Sequence, residues 1–170
     1  MKLEDDDFTL FGLPRRHALD ASELAGRWRA LQAQVHPDRF ASQGASAQRL
    51  AMQWAVRVNE AYRRLRDPVS RGGYLCELAG APVDAERHTG MPQAFLVQQM
   101  AWREALTDST DPAALRALRS EVDGTERDML EALRHQLDDA ADPARAAATV
   151  RALMFVSRFR QDVERRLEDA

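Results

Sequence analysis

The chain has 170 residues, 45% apolar and 30% charged, with a net charge of −3 and one cysteine, a composition that suits one ordinary or two small soluble globular domains folding without metal or disulfides. Cys76 excludes an intramolecular disulfide and offers a zinc site no second thiolate, so a buried thiol in a reducing compartment is expected. No apolar run approaches the roughly 20 residues that span a bilayer, and the acidic start MKLEDDDF lacks the basic and apolar regions of a signal peptide, which points to a cytoplasmic protein with no membrane partner.

Charge divides the chain. Residues 1–79 carry 12 Lys+Arg against 10 Asp+Glu, and residues 80–170 carry 12 against 17. Neither half has the basic footprint of a nucleic-acid binder. Lys2 is the only lysine, a compositional bias without functional meaning.

No segment alternates with the period of a strand, so an all-α fold is expected. After a short apolar element, Phe8 to Leu13, Asp20 and Glu23 form a capping-box pattern at the start of a helix. Leu24, Trp28, Leu31 and Val35 then recur at helical spacing and form one stripe. Pro37 ends this helix, because proline restricts the residue before it and has no N–H. A polar connection, residues 41–44, leads to a longer helix with Leu50, Trp54, Val58, Ala61 and Leu65 on one face, so that two antiparallel helices pack stripe to stripe.

Three Asp-Pro pairs, at 67–68, 111–112 and 142–143, each supply an N-cap acceptor and a first-turn proline and read as helix starts. The segment 78–93 is richest in Gly and Pro and coincides with the change in charge, which places a domain boundary between residues 79 and 80. Helices over about 91–108, 112–139 and 143–168 should follow as a three-helix bundle. Gly124, inside the second of them, suggests a bend or close packing.

The loop after the first long helix, QVHPDRF, places His36, Pro37 and Asp38 together. The four histidines, His17, His36, His88 and His135, are far apart, with no HExxH, so no metal site is expected. A nucleophile with a general base needs an orienting group and an oxyanion pocket, and neither GxSxG nor a Gly-rich phosphate loop is present. At the tip of a helical hairpin, water is also hard to exclude. Catalysis is not expected, nor any cofactor. A solvated turn is the plain alternative.

The surrounding pattern decides between them. FTLFGLP before the first long helix, HPD followed by Arg39 and Phe40, and VNEAYRRLRDPVSRGGYL in the next helix together resemble the J-domain family. That resemblance implies a non-enzymatic protein whose HPD loop, between two antiparallel helices, engages a DnaK-type chaperone and stimulates its ATP hydrolysis. His36, Pro37 and Asp38 would be the effector triplet, with Arg27, Arg29 and Arg39 supplying positive charge toward an acidic chaperone surface, chiefly for on-rate and orientation.

In the second half, MPQAFLVQQMAWREALTD places Phe95, Trp102 and Leu106 within a sector of about 40°, flanked by Met91 and Ala105, as a core stripe. Leu96, Val97, Met100 and Glu104 project elsewhere, about 100° to 200° round. Such a face packs on another helix or binds a partner. In the last helix Ala152, Val156, Phe159 and Val163 form the core stripe, with Phe155 to one side.

HPDRFAS, RGGYL, HT…AFLVQQMAWREAL and TVRALMF, in this order over essentially the whole chain, resemble the HscB family of J-type co-chaperones in iron–sulfur cluster assembly. The resemblance implies a monomer that binds the chaperone HscA through the J-domain, residues 1–79, and the scaffold IscU through the bundle, residues 80–170. Leu96, Val97, Met100, Glu104, Asp108 and Phe155 would form the scaffold site. Ala101 stands where the family often has an acid and Val97 replaces a longer apolar residue, so scaffold affinity would be weaker or the rim would use other charges. The eukaryotic relatives' N-terminal cysteine pairs are absent. A general J-protein serving DnaK and other clients is the alternative reading.

Overall fold

Aspartates set the helix starts. In the computed structural model, which describes residues 2–84 and 91–169, Asp6, Asp20, Asp111 and Asp142 each accept hydrogen bonds from backbone N–H groups of the following turn. Asp67 accepts one from the Ser70 N–H at 2.7 Å. Each cap satisfies amides that a helix otherwise leaves unpaired. The α-helices of the described residues are α1 (Asp7–Phe11), α2 (Ala21–Val35), α3 (Ala45–Arg66), α4 (Pro68–Leu78), α5 (Gln93–Asp108), α6 (Pro112–Arg134) and α7 (Pro143–Glu168), and these residues contain no strand. The all-α expectation holds.

The chain divides into two compact units, Met1–Leu75 and Cys76–Ala170. The division falls within α4 instead of in the Gly/Pro-rich segment that follows it, part of which lies outside the described residues, as does His88. In the first unit, α2 and α3 form the expected hairpin. Leu24, Leu31 and Val35 face Val58, Ala61 and Leu65, all buried, with Phe8 and Phe11 of α1 completing the core. Trp28 stacks on Tyr62 at 4.6 Å between ring centroids and donates its indole N–H to Asn59 Oδ1 at 3.0 Å.

Leu50 departs from the expected stripe: it is 50% exposed. Ala51 takes the inward position, and a residue one step along a helix lies about 100° round from it. The capping box at α2 is half made. Asp20 accepts from the Ser22 and Glu23 N–H groups, but the Glu23 carboxylate turns to Arg27, 2.8 Å away, where a charge-assisted bond replaces the weaker return bond to the backbone.

A buried carboxylate holds α1 against α3. Asp7 is fully buried, with the Arg57 guanidinium at 2.7 Å from one oxygen and that of Arg64 at 3.2 Å from the other. Its backbone N–H donates to the Tyr74 hydroxyl at 3.1 Å, and the Arg64 guanidinium lies 4.7 Å from the centre of the Tyr74 ring.

In the second unit Trp102 of α5, Leu118 and Val122 of α6, and Val156, Phe159 and Val163 of α7 form one buried cluster. The Trp102 indole donates to Glu121 at 2.8 Å, so its polar atom is satisfied at the edge of the core. Three corrections to the expected bundle appear. The second long helix stops at Arg134 and continues as a π turn, His135–Asp139, in which the Ala140 N–H reaches the His135 carbonyl at 2.9 Å. Buried Gln136 accepts from the Thr149 hydroxyl at 2.9 Å within this wider turn. Gly124 marks neither a bend nor close packing: the helix runs through it, and a Cβ there would meet nothing nearer than Arg127 Nη2 at 3.8 Å. Ala105, expected beside the core, is exposed.

Candidate functional site: a histidine loop and an apolar helix face

α2 ends where Pro37 forbids its continuation, and the chain then forms 3₁₀ turns over Pro37–Gln43, so the connection is tighter than the polar loop expected at 41–44. His36 is both the last boundary residue of α2 and the cap of these turns. Its Nδ1 accepts the Asp38 N–H at 3.3 Å. Nε2, on the other side of the ring, is the nitrogen left for another partner. The Asp38 carboxylate, 3.5 Å from Nδ1, is 90% exposed.

The three arginines expected beside the loop differ. Arg39 reaches back to the Ala33 carbonyl at 3.0 Å and so ties the loop to the last turn of α2, satisfying a carbonyl the helix leaves open. Arg27 is built into the fold. Its Nη1 donates to the Phe11 and Gly12 carbonyls at 2.9 and 3.1 Å, clamping the end of α1 while pairing with Glu23. Gly12 has a φ of +64°, which glycine adopts without strain, and a Cβ there would lie 3.0 Å from that guanidinium and push the clamp aside by a few tenths of an ångström. Arg29 is exposed on α2.

On α5, Leu96, Val97 and Met100 are 44%, 61% and 71% exposed. Leu96, Met100, Glu104 and Asp108 recur every fourth residue and therefore form one ridge, apolar at its start and acidic at its end. Both acids are exposed. Phe155 of α7 is half-buried: edge-on to Phe95 at 5.9 Å and stacked on Phe159 at 6.1 Å. The Arg103 guanidinium lies over its ring at 5.4 Å from the centroid. Phe95 and Arg103 of α5 thus bring Phe155 of α7 beside the ridge, a juxtaposition of distant segments that helical periodicity alone could not reveal.

The chain as a whole is similar to known proteins. Residues 91–164 fit the family model described as the HSCB C-terminal oligomerisation domain. A curated relative, the co-chaperone protein HscB homolog of Bordetella pertussis, is 50% identical over 160 residues, covering 94% of each chain. The chain belongs to the HscB co-chaperone family. The HscB homolog of Burkholderia multivorans is 48% identical over 99% of this chain and 97% of its own. The HscB chaperone of Vibrio cholerae is 37% identical, with a TM-score of 0.84 over 97% of this chain and 98% of its own. The human HscB crystal structure, 24% identical, shares the fold with a TM-score of 0.90. The fold is accordingly that of HscB, a J-domain hairpin followed by a C-terminal helical domain. All six residues expected at the scaffold site lie inside the segment that fits the HscB model.

Among the described residues no group of three or more His, Cys, Asp or Glu side chains gathers as metal ligands would, and no helix is long and apolar enough to cross a membrane. Cys76 is buried, and burial pushes its thiol up to about 11, against an opposing pull from Arg151.

Proposed function

We propose that this co-chaperone joins two partners: HscA, whose ATP hydrolysis it stimulates through His36, Pro37 and Asp38, and the iron–sulfur scaffold IscU, which it holds on the α5 ridge and Phe155. The reading rests chiefly on one observation, three large apolar side chains left 44–71% exposed on α5, beside the exposed acids Glu104 and Asp108 and the half-buried Phe155 ring. Contiguous exposure of this kind marks an interaction site more often than it marks a solvated surface. The acids at the ridge's far end would orient a basic partner segment, and Phe155 is the sort of partly buried aromatic that anchors interfaces.

At the other site, His36 offers Nε2–H as donor and Asp38 a charged acceptor, fit to pair with an arginine on the chaperone. Arg29 and Arg39 contribute positive charge beside them, and Arg27 contributes through the helix it braces. Holding both partners on one chain raises the concentration each experiences of the other, so the scaffold is delivered where the ATPase is switched. The hydrolytic chemistry belongs to the chaperone.

The test is the steady-state ATPase rate of HscA with this protein, with IscU, and with both. Stimulation by both together far beyond either alone supports the reading. Stimulation of DnaK with no effect of IscU would leave a general J-protein and remove the scaffold assignment.

A further inference from the structure

Arg103 is an exposed arginine on an acidic helix end, yet its side chain makes neither a hydrogen bond nor an ion pair among the described residues. Glu104, its neighbour, points about 100° away from it. What Arg103 does touch is Phe155, whose ring it covers at 5.4 Å while Phe95 meets that ring edge-on. Phe159 closes the inner side by stacking at 6.1 Å. A half-buried phenylalanine at a surface would otherwise keep rotamer freedom, and docking a partner on it would cost that freedom. A cation over an aromatic face is attracted to it, and a guanidinium does so while its N–H groups remain available at the plane's edge.

We infer that Arg103 is a positioning residue of the partner-binding face: it fixes the Phe155 ring in its docking orientation and covers the ring's flank. The inference rests on the reading of this face as the scaffold site. It predicts that the charge over the ring matters more than the length of the side chain. Arg103→Lys should therefore bind IscU within about twofold of the parent protein, whereas Arg103→Met, similar in length but neutral, should bind about three- to fivefold more weakly, the fold-change that an exposed cation–π contact carries.

Isothermal titration with IscU, on Arg103→Met, Arg103→Lys, Phe155→Leu and the double variant Arg103→Met/Phe155→Leu, supplies the test. The loss from Arg103→Met should vanish in the Phe155→Leu background, because the residue acts through that ring. The Arg103 Hδ protons should also show an upfield ring-current shift that Phe155→Leu abolishes. Equal losses from Arg103→Met in both backgrounds, or no rescue by lysine, overturn the positioning role. The control is Leu96→Ser/Met100→Ser: if this protein binds IscU as the parent does, the scaffold assignment itself fails and the inference falls with it. If it loses binding while Arg103→Met does not, only the inference falls.

Discussion

Met100→Ala separates binding from folding more sharply than any other substitution on α5. Its side chain is 71% exposed, so the folded monomer gains little from it. Fully burying a side chain of this size stabilises by about 1.5–3 kcal/mol. The share still open to a partner is therefore worth about 1.5 kcal/mol, or about a tenfold weaker Kd for the alanine variant. Leu96, 44% exposed, has already placed more of its surface in the monomer. Leu96→Ala should weaken binding by only about fivefold and cost a measurable part of its effect in stability. Calorimetric titration against IscU gives the first quantity and urea denaturation the second. If Met100→Ala lowers the urea midpoint as much as Leu96→Ala does, or leaves the Kd unchanged, then the exposed ridge is not what the partner covers.

Other consequences follow at the loop and in the two cores. His36→Gln should abolish stimulation of HscA while leaving the Tm and IscU affinity of the parent, because the ring is half exposed and its one backbone contact is a long cap. Asp7→Asn leaves two guanidiniums facing a neutral amide; discounted from the fully buried case because Arg64 is partly exposed, the loss of unfolding free energy should be about 2–3 kcal/mol, read by urea denaturation. Burial pushes the Asp6 carboxyl up, but hydrogen bonds from Arg15 and Thr9 outweigh it and hold the pKa at about 2, below the ordinary 3.8. Its contribution is present above pH 3.8 and lost as pH falls toward about 2, so Asp6→Asn should flatten the acid limb of a Tm-against-pH curve. Cys76, with its pKa near 11, should resist iodoacetamide at pH about 8 until the chain is unfolded, since the thiolate is the reactive form.

The parts of the fold legible in the sequence are those fixed by neighbours along the chain. Asp20, Asp67, Asp111 and Asp142 cap helices because a side-chain oxygen reaches amides two or three residues ahead, a contact that needs no tertiary structure. The stripe Ala152, Val156, Phe159 and Val163 is buried in full because it sits mid-helix with neighbours on both sides. Leu50 fails near the start of α3, where Ala51 takes the inward place. Arg27 could be read as a free charge because its partners, the carbonyls of Phe11 and Gly12, belong to a different element. The same holds for Asp7 with Arg57 and Arg64, and for Arg103 on Phe155: each is a contact between segments distant in sequence, invisible to periodicity. On the exposed face of α5 the sequence revealed which side chains leave the core, and tertiary packing supplied what stands beside them.

The two candidate sites share an energetic property that bears on how such a co-chaperone works. His36 and Asp38 are held by one long backbone cap and are otherwise open, and Val97 and Met100 lie mostly in water. Their free energy is not committed to folding, so nearly all of it remains for a partner. The surrounding framework is committed instead: Arg27 clamps α1, Asp7 sits between two arginines, and Arg119 and Arg160 tie α6 to α7 through Glu164 and Glu126 at 3.2 and 3.3 Å. A surface presented on braced helices loses little conformational freedom when it docks. Affinity can then change by substitution on α5, or chaperone stimulation by substitution in the loop, without loss of the fold. This separability makes a strong requirement: a double variant carrying His36→Gln and Met100→Ala should show the sum of the two single effects, with no coupling in Tm between residues that share no partner. A coupling above about 0.5 kcal/mol in stability would mean that the two sites are not the independent, fold-silent surfaces argued here.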